Sequence, residues 1–363
     1  MNSTITTKNK RIDSLDLLKA IAIMLVLALH VPLYHIDFIE QPTASRVFQY
    51  FLRLLSEGVP LFVTINGFLI LKKSSLDVKK HYIQCAKLFG LLVFWMIAYI
   101  VIIGRHELLS MTPSEFFVHI FQTGRDGGSK YTGGLWFLQY LFAVYLFVPA
   151  IWKIFHDDFK LFQTLFIISF ILILGRNTIN LIRSALSISM ETPVLDELNG
   201  FVKRITVWGD GYYLVFFCFG GMIYHYYDWL ISKKRLFVSL GILAAGLAFT
   251  FGYTLSKLSG TVYDQTFNYG TVFTFFIMLG LFVFCSNFSS DKNIITKTLS
   301  LIGRNTFAIY VIHKIIIREI KLVIPEYYAE HRVLMYIIVL TISTLFSVIA
   351  PKIPIVRKVT SLS

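Results

Sequence analysis

Lys19 and His30 flank the first apolar run of the chain, the ten uncharged residues Ala20 to Leu29. On a helix, eleven steps of about 100° return to within roughly 20° of the starting direction. At a rise of about 1.5 Å per residue the two side chains share one stripe roughly 16 Å apart, about half the thickness of a bilayer core. An ammonium and an imidazole are both costly in hydrocarbon, so they are expected to face protein or water. An imidazole can take and return a proton near neutrality, which makes His30 a candidate general base on a hydroxyl. A plainer reading stands beside this one: Lys19 as a snorkelling anchor and His30 as an interfacial residue at the far end of the span. Asp16 and Lys19 are also spaced to pair at i, i+3.

Other polar residues interrupt the apolar runs. His313 lies midway along a late one, in NTFAIYVIHK; it is a second candidate for a site. Glu57-Gly58-Val59-Pro60, followed by Asn66-Gly67, puts two polar side chains around a proline that should kink the helix and free backbone carbonyls. Gly67 permits close helix approach, so the motif reads as a cavity wall or as packing alone. Lys72, Lys73, Lys79, Lys80 and Lys87 form a cation set, with Lys87 already inside the next apolar run. Such a set could receive the phosphates of a nucleotide-like donor, or serve only to fix topology and meet anionic lipid. Trp136 and Phe137 open another run, where an interfacial aromatic belt is expected.

The elements that must position these residues are membrane helices. Of 363 residues 56% are hydrophobic and 15% charged, and the mean hydropathy is +0.67. Soluble domains carry about 25% charged residues. An all-α polytopic protein is expected, with about ten spans near 14–34, 48–71, 83–103, 134–152, 161–175, 208–228, 236–255, 269–287, 299–320 and 333–350. Residues 1–12 and 352–363 read as cytoplasmic tails around a membrane domain at 13–351. This places the Lys72–Lys80 loop, Lys233-Lys234-Arg235 and the basic tail on one side, in keeping with the positive-inside bias. The +13 net charge therefore reflects topology and not nucleic-acid binding. Residues 176–207, of mixed charge, are placed outside. Asp13 and Asp16 precede the first run without a small-residue cleavage site, which speaks against a cleavable signal. Cys85, Cys218 and Cys285 make neither a disulfide framework nor a metal-ligand spacing, and no phosphate-loop or metalloprotease motif is present.

Four stretches in order carry a resemblance: DLLKAIAIMLVLALH with Lys19 and His30, GVPLF…NGF from Gly58 to Phe68, GLWFLQYLFAVYLFVP from Gly134 to Pro149, and NTFAIYVIH from Asn305 to His313. Together they resemble the acyltransferase-3 family of integral-membrane acyltransferases, from about residue 11 to 350. The resemblance implies an acyltransferase of the cell membrane, multi-pass in the bacterial cytoplasmic membrane. It would move an acyl group, usually acetyl, from acyl-CoA onto a hydroxyl of a surface polysaccharide or lipid-linked sugar, with no permanently bound cofactor. It implies catalytic roles for His30 and His313, donor contacts at Lys19, Lys80 and Lys87, and acceptor contacts among Glu57, Asn66, Trp136 and Phe137. Two departures stand out: Asn66-Gly67 replaces the family's usual Ser-Gly, and lysines replace an arginine pair. Lysine offers a point charge where arginine offers a bidentate fork. No serine or cysteine sits in an obvious nucleophile setting. A transporter or exporter of a glycan or small solute is the alternative that uses the same broken helices as a gate.

Overall fold

The computed structural model describes residues 13–31, 58–121, 131–187, 194, 196–198, 211–259, 269–288 and 293–360. All regular structure among them is helical. The principal helices are α1 (Asp13–His30), α2 (Gly58–Leu71), α3 (Val78–Ile103), α4 (Trp136–Asp157), α5 (Phe159–Ser169), α6 (Arg176–Leu186), α7 (Tyr212–His225), α8 (Lys234–Ser259), α9 (Val272–Phe284), α10 (Ile294–Arg304), α11 (Thr306–Val323) and α12 (Arg332–Ile349). Among the described residues five stretches are long and apolar enough to cross a membrane: Val78–Ile103, Trp136–Asp157, Phe159–Ser184, Lys234–Thr254 and Arg332–Lys352. Helices α2, α7 and α9 are as apolar but shorter. Helices α1 and α11 are amphipathic in charge, the first with Asp13, Asp16 and Lys19 at its start, the second with Lys314, Arg318 and Glu319 beyond its middle.

Helix α1 is surrounded by α2, α10, α11 and α12, and glycines set how close these come. A Cβ on Gly58 would lie 2.1 Å from the Ala22 carbonyl oxygen, and one on Gly303 would lie 1.8 Å from that of Asp16. Any side chain at either position would drive the helices apart. Helices α2 and α7 make the same kind of contact through Gly67 against Phe217 and Gly220 against Thr64. The close approach expected of Gly67 is thus made with α7.

Three boundaries differ from the sequence-based expectation. The fifth span does not stop at Gly175: the chain passes through a π turn, Phe170–Gly175, directly into α6. The helix that carries the apolar stretch therefore continues to Ser184, and Arg176 to Ser184 form its more polar helical end where a loop was expected. Arg183 near its end pairs with Asp196 at 2.8 Å. The linker at 153–160 shrinks to Asp158, whose carboxylate accepts from the Leu161 amide at 2.9 Å and caps α5. The expected single helix at 299–320 is two helices broken at Asn305 (φ −113°, ψ 18°). The Asn305 amide donates to the Leu301 carbonyl at 2.8 Å. A short polar side chain that bonds its own backbone competes with helix continuation. Glu57 and Asp210 lie outside the described residues, as does the part of the second span that precedes Gly58.

Candidate functional site

Helix α1 delivers His30 in its last turn, and α11 delivers His313 near its middle. The two rings stack with centroids 5.1 Å apart and planes inclined by 29°. They are 283 positions apart in the sequence, so the pairing is a product of α1–α11 packing. His313 is fully buried. Its Nδ1 donates to the Tyr310 carbonyl one turn back. A carbonyl can only accept, so Nδ1 carries the proton, and in the neutral ring Nε2 is left as a bare lone pair. That Nε2 is buried and has no hydrogen-bond partner among the described residues. Buried polar atoms are nearly always satisfied, and exceptions mark strain or chemistry.

The surroundings hold the His313 turn in place. Tyr99 on α3 donates its hydroxyl to the Val311 carbonyl at 2.9 Å. The Tyr310 hydroxyl donates to the Gly134 carbonyl just ahead of α4. Phe137 lies edge-on to Tyr310 at 5.7 Å and 6.0 Å from Phe62 on α2. Trp136 stacks on Tyr269 at 6.2 Å. Lys314, the residue after His313, runs its aliphatic stem across Gly134: a Cβ there would lie 2.3 Å from its Cδ. The Lys314 charge is felt at both imidazoles. Lys314 was not singled out from the sequence, although it closes the NTFAIYVIHK stretch. The only signal for it was a cation inside an apolar run.

The donor cations expected from the sequence do not come together around the histidines. Lys19 is half-buried and lies 4.0 Å from Asp16. Asp16, almost completely buried, also accepts from Arg304 Nε at 3.2 Å. The i, i+3 pair is therefore present and extends to α10 through a residue 288 positions away. Lys80 is exposed and pairs with Asp77 at 3.3 Å. Asp77 also caps α3 by accepting from the Lys80 amide, which holds its carboxyl below the usual range. Lys87 lies on the exposed face of α3. Lys72, by contrast, lines a cavity of about 500 Å³ with Ser14 and Leu15 at the start of α1, Phe68 on α2, His225 at the end of α7 and Asp228 just after it.

Asn66 takes part in a second polar cluster. Its amide donates to the Phe62 carbonyl at 2.9 Å, and its Oδ1 accepts from the Tyr145 hydroxyl at 3.0 Å. Tyr145 in turn gives its backbone carbonyl to His81 Nε2 at 2.8 Å, with Cys85 Sγ 3.4 Å from the same nitrogen. A cysteine beside a histidine invites a nucleophile–base reading. The carbonyl bond excludes it: Nε2 carries the proton and cannot accept the thiol's. That carbonyl is free because Pro149, four residues on in α4, has no N–H to give it. Among the described residues no cluster of three or more histidines, cysteines or carboxylates could hold a metal.

The sequence from residue 12 to 350 matches the family model described as an acyltransferase domain, acyltransferase-3. No curated protein and no solved structure matches the chain. A match over almost the whole length, on a bundle of apolar helices that stacks His30 on the buried His313, leaves one conclusion. The chain belongs to the acyltransferase-3 family and is a membrane acyltransferase.

Proposed function

We propose that the protein transfers an acyl group, acetyl in the simplest case, from acyl-CoA to a hydroxyl of a cell-surface polysaccharide or lipid-linked sugar. The observation that carries this reading is the stacked His30–His313 pair with its bare, buried Nε2. An imidazole held in one tautomer by a backbone carbonyl is poised to take a proton. In the proposed step Nε2 of the pair accepts the sugar hydroxyl's proton as its oxygen attacks the thioester carbonyl. The C–S bond then breaks, and the thiolate of CoA leaves with the proton returned by the imidazolium. Lys314 places a positive charge beside the oxyanion that forms.

The donor's phosphates belong, in this reading, at the cavity lined by Lys72, with Lys19 and its Asp16–Arg304 partners lying along α1 between that cavity and His30. Lys80 and Lys87 add charge that draws an anionic donor to this face. Asn66, Trp136 and Phe137 border the path by which an acceptor approaches, as does Glu57 by its place in the sequence.

The test uses membranes holding wild type, His30→Ala or His313→Ala at matched expression, given labelled acetyl-CoA and total cell glycan. Label in the glycan with wild type alone supports the reading. Label that persists with both variants removes the pair from the chemistry, and flux of a glycan without acyl transfer favours the exporter.

A further inference from the structure

A second candidate site lies on α8 and α9. Three cations, Lys233, Lys234 and Arg235, stand together where α8 begins. They line an open cavity of about 880 Å³ with Ser232, Ser239 and Phe284. No carboxylate lines it among the described residues. Lys234 is held in place: its Nζ donates to the Phe284 carbonyl at 3.0 Å and lies 5.7 Å over the Phe284 ring. Lys233 and Arg235 are exposed, and the first turn of α8 adds the partial positive charge of a helix N-terminus.

The basic cavity opens into a second one. They share Val238 and Phe284, and the second is a trough of about 470 Å³ running down the outer face between α8 and α9. Its floor is made by Gly241, Ala245, Gly246 and Gly280, its rims by Ile242 and Phe284. Gly241 and Gly280 face one another so closely that a Cβ on Gly241 would lie 3.1 Å from the Gly280 Cα. That contact brings the helices together and leaves the surface above them low. From Lys234 to Gly246 the helix rises about 18 Å. One leaflet of a bilayer core is about 15 Å deep. An apolar channel one leaflet deep, with three cations at its mouth, has the shape and charge of a site for one lipid.

We propose that this site binds an anionic phospholipid, its phosphate against Lys233 and Arg235 and one acyl chain in the α8–α9 trough. Ordinary annular lipid covers an apolar face without regard to headgroup. Here the cations make the headgroup matter. The site is independent of the histidine pair and of the acyl-transfer reaction proposed above.

The full-length protein in neutral detergent tests the proposal with phosphatidylglycerol, phosphatidylcholine and inorganic phosphate added separately. Lipid retained on the protein is counted by native mass spectrometry, and Tm is measured alongside. Phosphatidylglycerol should be retained and should raise Tm more than phosphatidylcholine, and phosphate alone should do neither. Lys233→Gln with Arg235→Gln should weaken phosphatidylglycerol binding about thirtyfold, at about 1 kcal/mol per cation lost. Gly246→Leu should also reduce retention by filling the trough. Nothing lies within 4 Å of a Cβ on Gly246, so this variant leaves the helix packing intact. Equal retention of both lipids, the same effect from phosphate alone, or unchanged retention in all variants would overturn the proposal.

Discussion

His81 and His313 are both buried histidines on apolar helices, and both give a ring N–H to a backbone carbonyl. The difference lies in the second nitrogen's surroundings and in where the carbonyl comes from. His81 takes a carbonyl from another helix, one that Pro149 has left without its own amide, and so ties α3 to α4. Its neighbour Cys85 and the Tyr145–Asn66 bond extend that tie to α2. His313 takes a carbonyl from its own preceding turn, which holds the ring but joins nothing. Its Nε2 is left buried and bare, on a ring whose centroid lies 5.1 Å from that of a second imidazole. One histidine is tied into the packing, and the other keeps a bare ring nitrogen, which the proposed reaction would use. Burial and residue type alone do not separate the two roles; the census of hydrogen bonds does.

The comparison can be broken most sharply at His313. His313→Ala should lower acyl transfer per folded protein by about 10²–10⁴-fold, the range of a lost general base. A loss under tenfold, measured at matched Tm, would place His313 with His81 as a packing residue. Gly134→Ala should come next. The added methyl collides with the Lys314 stem, and overpacking of this kind costs about 1–3 kcal/mol. A thermal melt should show the loss, and Lys314→Ala in the same chain should restore Tm while leaving the enzyme slow.

His81→Ala should act in the opposite sense from His313→Ala. It strands the Tyr145 carbonyl and should cost about 1–3 kcal/mol of stability, while turnover of the folded fraction stays within a few-fold of wild type. The smallest effect is the most specific. Pro149→Ala restores an amide to the Tyr145 carbonyl, so His81→Ala should cost less in that background. A double-mutant cycle should find a coupling of about 1 kcal/mol, and additive losses would mean that the proline does not free this carbonyl for His81.

Much of this was legible in the residues themselves. Long uncharged runs announce membrane helices because no other regular element satisfies its own backbone in lipid. His30 and His313 stood out because ionisable groups inside such runs are expensive. What stayed hidden depends on distant partners. Nothing near Asp16 points to Arg304, and nothing near His81 points to Pro149, 68 positions on. The break at Asn305 was missed because the polar step Arg304-Asn305-Thr306 is short and lies between two apolar runs, and the π turn because Arg176 reads as the end of a span. Among the basic residues of the Lys72–Lys87 set, Lys80 is taken up by Asp77, the residue that caps α3. Nothing in the sequence sets Lys72 apart as the member of the set that lines the cavity beside α1.

Helix α1 runs unbroken from Ser14, at the rim of the Lys72 cavity, to His30 in the proposed reacting pair. Sixteen helical steps make a rod of about 24 Å. A rod of fixed length works as a ruler. In the proposed arrangement a donor whose phosphates rest at one end would be admitted by the reach of the arm that joins them to its thioester, and not by the shape of the acyl group at the tip. Carriers with a short arm, such as an acyl phosphate, would leave their cargo stranded partway along the helix. Small differences between acyl groups would go largely unread.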